Sequence, residues 1–253
     1  MQRAEYALLA LVLGTSGCSS DDSDGGKTAP TLDGLVHSWV VDEKNAPVPD
    51  VEVCVEGEPD IPCVMTDAKG IADLAVPKDK ELVLTYAKPE FVTKRRQIFS
   101  NEYKSKGLGI WALQRKSWYD QVATDLGSPA PFDYDKGIAA LLVGTGPAEE
   151  FIINADHTGT TFDLQPVSGP KDPNIKELKF QVAGDLTLTG CISGCTDGVV
   201  GYADVPPGKY RAVFSAPKKT CTASAFACAD GTPSCVELEI VAGVNTFASM
   251  LCE

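Results

Sequence analysis

Residues 36–77 constrain the fold more than any other stretch, because short runs of alternating apolar and polar positions are separated by turn residues. Val36, Ser38 and Val40 alternate with His37, Trp39 and Val41, the period of a strand with one face on a core. The run breaks at residues 42–49, where Asn45 tolerates a left-handed backbone and Pro47 and Pro49 cannot donate to a ladder. Val51, Val53 and Val55 resume it, with Glu52, Cys54 and Glu56 on the opposite face. Thr66-Asp67-Ala68-Lys69-Gly70 predicts a second turn, with Asp67 bonding its own backbone and Gly70 supplying a positive φ. Ala72, Leu74 and Val76 continue the inward face, and residues 82–86 supply a further strand. Short strands in succession, joined by turns, predict antiparallel sheet.

The same residues resemble the carboxypeptidase regulatory-like domain, a transthyretin-like β-sandwich. The matching positions are Val40, Asp42, Pro47, Val48, Pro49, Val53, Thr66, Asp67, Gly70, Val76 and Pro77, while Ser38, Asn45 and Asp50 stand where that family has glycine. The resemblance implies a Greek-key sandwich and a non-catalytic accessory module. A Val-Pro-Pro-Gly-x-Tyr turn at Val205 to Tyr210 is similar to the same superfamily and leads into Arg211, Ala212, Val213 and Phe214. The expected fold is therefore all-β: two tandem antiparallel β-sandwiches, transthyretin/prealbumin-like, with a short connecting helix. The expected boundaries are residues 34–116 for the first sandwich, 117–136 for the helix and linker, and 137–253 for a second, disulfide-rich sandwich.

Residues 1–18 read as an export signal: Arg3 near the start, an apolar run over residues 6–14 too short to span a bilayer, then Thr15, Ser16 and Gly17 before Cys18. Small residues leading into a cysteine resemble the lipobox of bacterial lipoproteins, which makes Cys18 the candidate lipidation site and the membrane a partner through a lipid anchor. The alternative is an ordinary secreted protein cut near Ser16 or Gly17. Residues 19–33 are polar, without periodicity, and read as a flexible tether. The expected location is the bacterial cell envelope, as an outer-membrane lipoprotein.

With Cys18 set aside, eight cysteines remain, an even number that suits an oxidising compartment. Cys54 and Cys63 fall in the first half and form a candidate staple. Cys191, Cys195, Cys221, Cys228, Cys235 and Cys252 fall in the second, where fifteen pairings stay open. A zinc site would call for a Cys-x-x-Cys pair or a nearby histidine; neither is present, so no metal and no cofactor is expected. The formal charge of −13 repels phosphate backbones, which sets nucleic acid aside as a partner.

Lys94, Arg95 and Arg96 form the one basic run, read as a strand edge defended by charge rather than an acidic-ligand patch. Ser117 with Asp120 has the spacing of a capping box, and residues 118–126 before Gly127 predict a short helix. Trp111, Trp118 and Tyr119 are the candidate glycan-binding platform, although packing of the helix onto the sandwich is the favoured use of the same rings. No nucleophile elbow, zinc-peptidase pair or phosphate loop occurs. His37 lies in a strand, and Asp156 beside His157 lies in turn composition without a nucleophile. Residues 222–234 are long, small and apolar-poor, so cross-links must order them: either a rigid display loop or a decorated loop needing only stability. The chain thus reads as a non-catalytic binding, display or structural module, with an envelope protein or a glycan as partner.

Overall fold

A computed structural model of the chain describes residues 30–100, 109–125, 132–144, 161–182, 188–190, 198–215 and 219–252. These form strands β1 (Gly34–Val41), β2 (Glu52–Val55), β3 (Val64–Met65), β4 (Ile71–Val76), β5 (Glu81–Ala87), β6 (Thr93–Phe99) and β7 (Gly109–Ala112), then helix α1 (Lys116–Asp125). The chain continues through β8 (Gly137–Gly144), β9 (Thr161–Pro166), β10 (Lys176–Val182), β11 (Leu188–Gly190), β12 (Gly198–Val205) and β13 (Gly208–Ser215). It closes with β14 (Cys221–Ala223), β15 (Cys235–Ile240) and β16 (Val244–Cys252). The fold is all-β, with one short helix among the described residues. Among the described residues no helix is long and apolar enough to cross a membrane.

Alternation in the first strands places one residue in two on a single core. Val36, Val40, Val53, Val55, Ala72, Leu74, Val76, Leu82, Leu84 and Tyr86 are buried together, and Ser38 joins them by hydrogen bonding its Oγ to the Tyr86 hydroxyl at 3.0 Å. The turns are held as their residues dictate. Asp42 Oδ1 accepts from the Lys44 and Ala46 amides, both at 2.9 Å, and Asp67 Oδ1 accepts from Lys69 at 2.8 Å and Ile71 at 2.9 Å. Asn45 and Asp50 both take positive φ, 61° and 53°. Short polar side chains carry that conformation at lower cost than most others.

Gly70 has φ 74° and accepts no substitute, because a Cβ there would run into the Val40 carbonyl while the Gly70 carbonyl accepts from Val40 N–H at 2.7 Å. Gly70→Ala is expected to cost about 2 kcal/mol through strain plus a backbone clash. Urea unfolding of the variant checks this as a lower midpoint at unchanged slope.

The described strands form three sheets. One runs β4-β1-β7, another β15-β13-β9, and the largest runs β11-β10-β12-β8-β16-β6-β5-β2-β3 with β14 paired to β16. The antiparallel expectation holds for most pairings and is corrected at three: β7 lies parallel to β1, and β16 lies parallel to both β6 and β8. Parallel neighbours require crossovers that local periodicity does not reveal. The largest sheet takes strands from residues 34–116 and 137–253 alike, joined along β6 and β16 with Lys94 opposite Asn245. The reading of residues 94–96 as a guarded edge is corrected by the same contact. β6 is an interior strand, flanked by β5 and β16, and Lys94, Arg95 and Arg96 are all buried.

In the second half Phe162, Leu164, Tyr210, Ala212, Phe214, Val236, Leu238 and Ile240 form another core. Helix α1 adds Tyr119, Val122 and Ala123 to a third, with Val92, Phe132, Ile138 and Ala203. Its first bonds run from the Trp118 and Tyr119 amides to the Arg115 carbonyl, so Ser117 lies inside the first turn rather than at the cap. Arg115 fixes that start by bonding Glu43 at 2.5 Å and Asp42 at 3.2 Å while standing 4.6 Å over the Phe91 ring.

Candidate functional site

Residues 222–234 are ordered by bonds at both ends and in the middle. Cys221 pairs with Cys252, its register partner across β14 and β16, and Cys228 pairs with Cys235. The Phe226 amide donates to Glu81 Oε1 at 2.6 Å, and the Phe226 carbonyl accepts from Glu237 N–H at 2.8 Å. Ser234 Oγ donates to the Cys221 carbonyl at 2.6 Å. Phe226, Gly231 and Ser234 take positive φ, which turns the chain sharply enough to raise a crest. Residues 229–233 are exposed along that crest. Asp230 accepts from Thr232 Oγ1 at 2.7 Å, from the Thr232 amide at 3.1 Å and from Arg211 Nη1 at 2.8 Å. The Thr232 hydrogen bonds, and then Arg211, hold its carboxyl below the usual carboxylate range. The crest therefore carries an ionised carboxylate, held by Thr232 and Arg211, on a backbone already ordered.

Beneath it, β6 carries its charges inward on both faces. Arg95 forks onto Glu56 at 2.5 and 2.6 Å, reaches the Glu239 carbonyl at 2.5 Å and Glu239 Oε2 at 3.2 Å. Gln97 Nε2 donates to the Glu237 carbonyl at 2.8 Å. These two side chains reach the edge of β15 that faces away from β13, part of which residues 226–228 already cover through the Ala227–Val236 bridge. On the other face Lys94 Nζ donates to the Ala112 carbonyl and stands 4.2 Å from the centre of the Phe247 ring. Burial, helped by the neighbouring Arg96 charge, pulls this amine down to about 7. Arg96 bonds Ser249 Oγ at 3.1 Å. The basic run is an interior clamp and offers no surface to an acidic ligand.

The aromatic residues divide. Tyr119 is in the core, where its hydroxyl donates to Gln114 Oε1 at 3.1 Å and accepts from Asn245 Nδ2, and burial pushes that hydroxyl's pKa up. Trp118 is half-buried and meets Tyr119 edge-on, with centroids 5.0 Å apart. Trp111 lies on β7 opposite Val40, and its side chain is outside the described residues. Tyr119 thus presents no stacking face to a sugar.

His37 pairs with Asp73 across β1 and β4. Cys54 and Cys63 are bonded to each other beside Glu52, and the donor atoms of the three residues lie within 4.8 Å of one another. Cys18, Cys191, Cys195, Asp156 and His157 fall outside the described residues. Glu81, Glu56 and Glu239, which order the loop and the clamp, carried no local signal because each acts on a residue far away in sequence, whereas Asp230 bonds Thr232 only two residues on.

No protein-family model matches the chain, and no curated protein matches it. Among solved structures it is similar to the Bacillus anthracis TIE protein, at 15% identity and TM-score 0.26, over 86% of this chain and 34% of that one. It thus spans about a third of that protein's length. It is also similar to the minor pilin of Streptococcus agalactiae, at 8% identity and TM-score 0.28, covering 87% and 95% of the two chains. A third similarity is to the major pilin subunit of Bacillus cereus, at 9% identity and TM-score 0.26, covering 87% and 99%.

Proposed function

We propose that the chain is an exported, non-catalytic envelope protein, held at a membrane through a lipid on Cys18, that presents the crest at residues 229–233 to an envelope protein. The observation that carries this reading is the cross-linked loop. Two disulfides and the Glu81 bond order its backbone in advance, so a partner meets a surface whose conformational entropy is already spent. Disulfides persist in oxidising compartments, which supports export. A tether of the composition found at residues 19–33 leaves the crest free to sample partners above a membrane.

In-cell crosslinking followed by capture of the full chain tests the reading. Asp230→Ala with Thr232→Ala is expected to remove the captured partner while lowering the free energy of unfolding by no more than about 1 kcal/mol, because the bonds it removes join exposed side chains. An unchanged crosslink pattern sinks the crest as the recognition surface. Cys18→Ala is expected to move the chain from the membrane fraction to the soluble one; retention on membranes removes the anchor.

A further inference from the structure

The edge of the largest sheet carries a second chemistry. β2 pairs antiparallel with β3, Val53 opposite Val64, which sets Cys54 opposite Cys63 and leaves Glu52 two residues along the same face as Cys54. Val53 and Val55 point the other way, into the core. The two sulfurs and the Glu52 carboxylate therefore gather on the outer face, all within 4.8 Å of one another. A tetrahedral ion bound at roughly 2.3 Å to thiolate and 2.1 Å to carboxylate separates its ligands by roughly 3.5–3.8 Å. With the donor atoms within 4.8 Å of one another, the three groups start close to that spacing once the sulfur–sulfur bond is broken. β3 ends the sheet, Cys63 is exposed and Cys54 half-buried, whereas Cys221, Cys228, Cys235 and Cys252 are buried. A solvent reductant thus reaches this disulfide in preference to the other two in the described residues.

We propose that Glu52, Cys54 and Cys63 form a redox-gated site for a thiophilic divalent cation of the zinc class, closed while the disulfide stands and opened by a dithiol reductant. The reductant's thiolate attacks one protein sulfur, giving a mixed disulfide and releasing the other sulfur. Its second sulfur then displaces the remaining one. The reductant leaves oxidised as a cyclic disulfide, and its two protons pass to Cys54 and Cys63. Binding of the cation releases those protons to solvent as both sulfurs ligate as thiolates, Glu52 supplies an oxygen, and the fourth position stays open to water.

The test uses the full chain, reduced with dithiothreitol, freed of reductant without air and titrated with cobalt(II) as the spectroscopic probe. The reduced protein is expected to gain a sulfur-to-cobalt charge-transfer band that the oxidised protein and the reduced Cys54→Ser/Cys63→Ser variant lack. Glu52→Gln is expected to keep the band and weaken binding by about tenfold or more. An equal band in the double variant assigns the signal to other cysteines and overturns the proposal. So does no band in the reduced chain, unchanged affinity in Glu52→Gln, or loss of the folded near-ultraviolet dichroism on reduction.

Discussion

Replacing Lys94 with methionine is expected to raise the free energy of unfolding by about 2 kcal/mol at pH 7, since buried charges exchanged for apolar groups of similar volume are often stabilising. The native amine gives up its proton near 7, pulled down by burial and by Arg96, whereas in the unfolded chain it keeps it to about lysine's ordinary 10.5. Between those values the unfolded state binds more protons, so the wild-type protein gains stability as pH rises, by about 1.4 kcal/mol per unit from this group. Below 7 both states are protonated and the native state carries the whole penalty. The Lys94→Met variant should lack this slope. Its advantage should be largest near pH 6 and shrink towards pH 10, as the lost bond to the Ala112 carbonyl becomes the dominant difference. Urea midpoints of both proteins at pH 6, 8 and 9.5 measure it; a pH-independent difference would show that the amine does not titrate in the interior.

Arg95 should behave in the opposite sense. Arg95→Ala removes the fork onto Glu56 and leaves the Glu239 carbonyl with the longer bond from Thr246 Oγ1 at 3.3 Å, at a cost of about 3 kcal/mol. Glu56 and Glu239 are 40% and 55% exposed, so each carboxylate recovers water, and the loss stays below that of a fully buried pair. Arg95→Lys recovers little, because an ammonium cannot span two carboxylate oxygens and a carbonyl at once. Arg95 and Gln97 are the side chains that fasten β6 to the edge of β15, so the alanine variant is also expected to split one unfolding transition into two. A single transition with an unchanged midpoint would show that the clamp adds nothing.

What was legible in the sequence was local. The period of two in Val36, Ser38 and Val40, the side-chain-to-backbone bonds of Asp67 and the left-handed turn at Gly70 each involve residues within one strand or turn, and each is found in the structure. Lys94, Arg95 and Arg96 were misread because the strand that buries them, β16, enters about 150 residues later. Nothing around a basic run distinguishes an edge from a seam. The pairing of Cys221 with Cys252 was equally hidden, since it depends on β14 lying beside β16. Ser117 had the composition of a cap, yet Arg115, held by Asp42 and Glu43 from a distant turn, starts the helix earlier. The crest at residues 229–233 was visible as a loop needing cross-links, but the Glu81 bond that orients it belongs to another part of the chain.

The position of β16 between β6 and β8 also sets a timetable. Neither neighbour acquires its parallel partner until residues 244–252 have emerged, so the central hydrogen-bond ladder closes only after β1 to β15 have been laid down. Pairings so distant in sequence form slowly, because the loop entropy is lost before the contacts reward it. Until β16 arrives, β6 and β8 each present one unpaired strand edge to whatever surrounds the chain, and a single segment seals both at once.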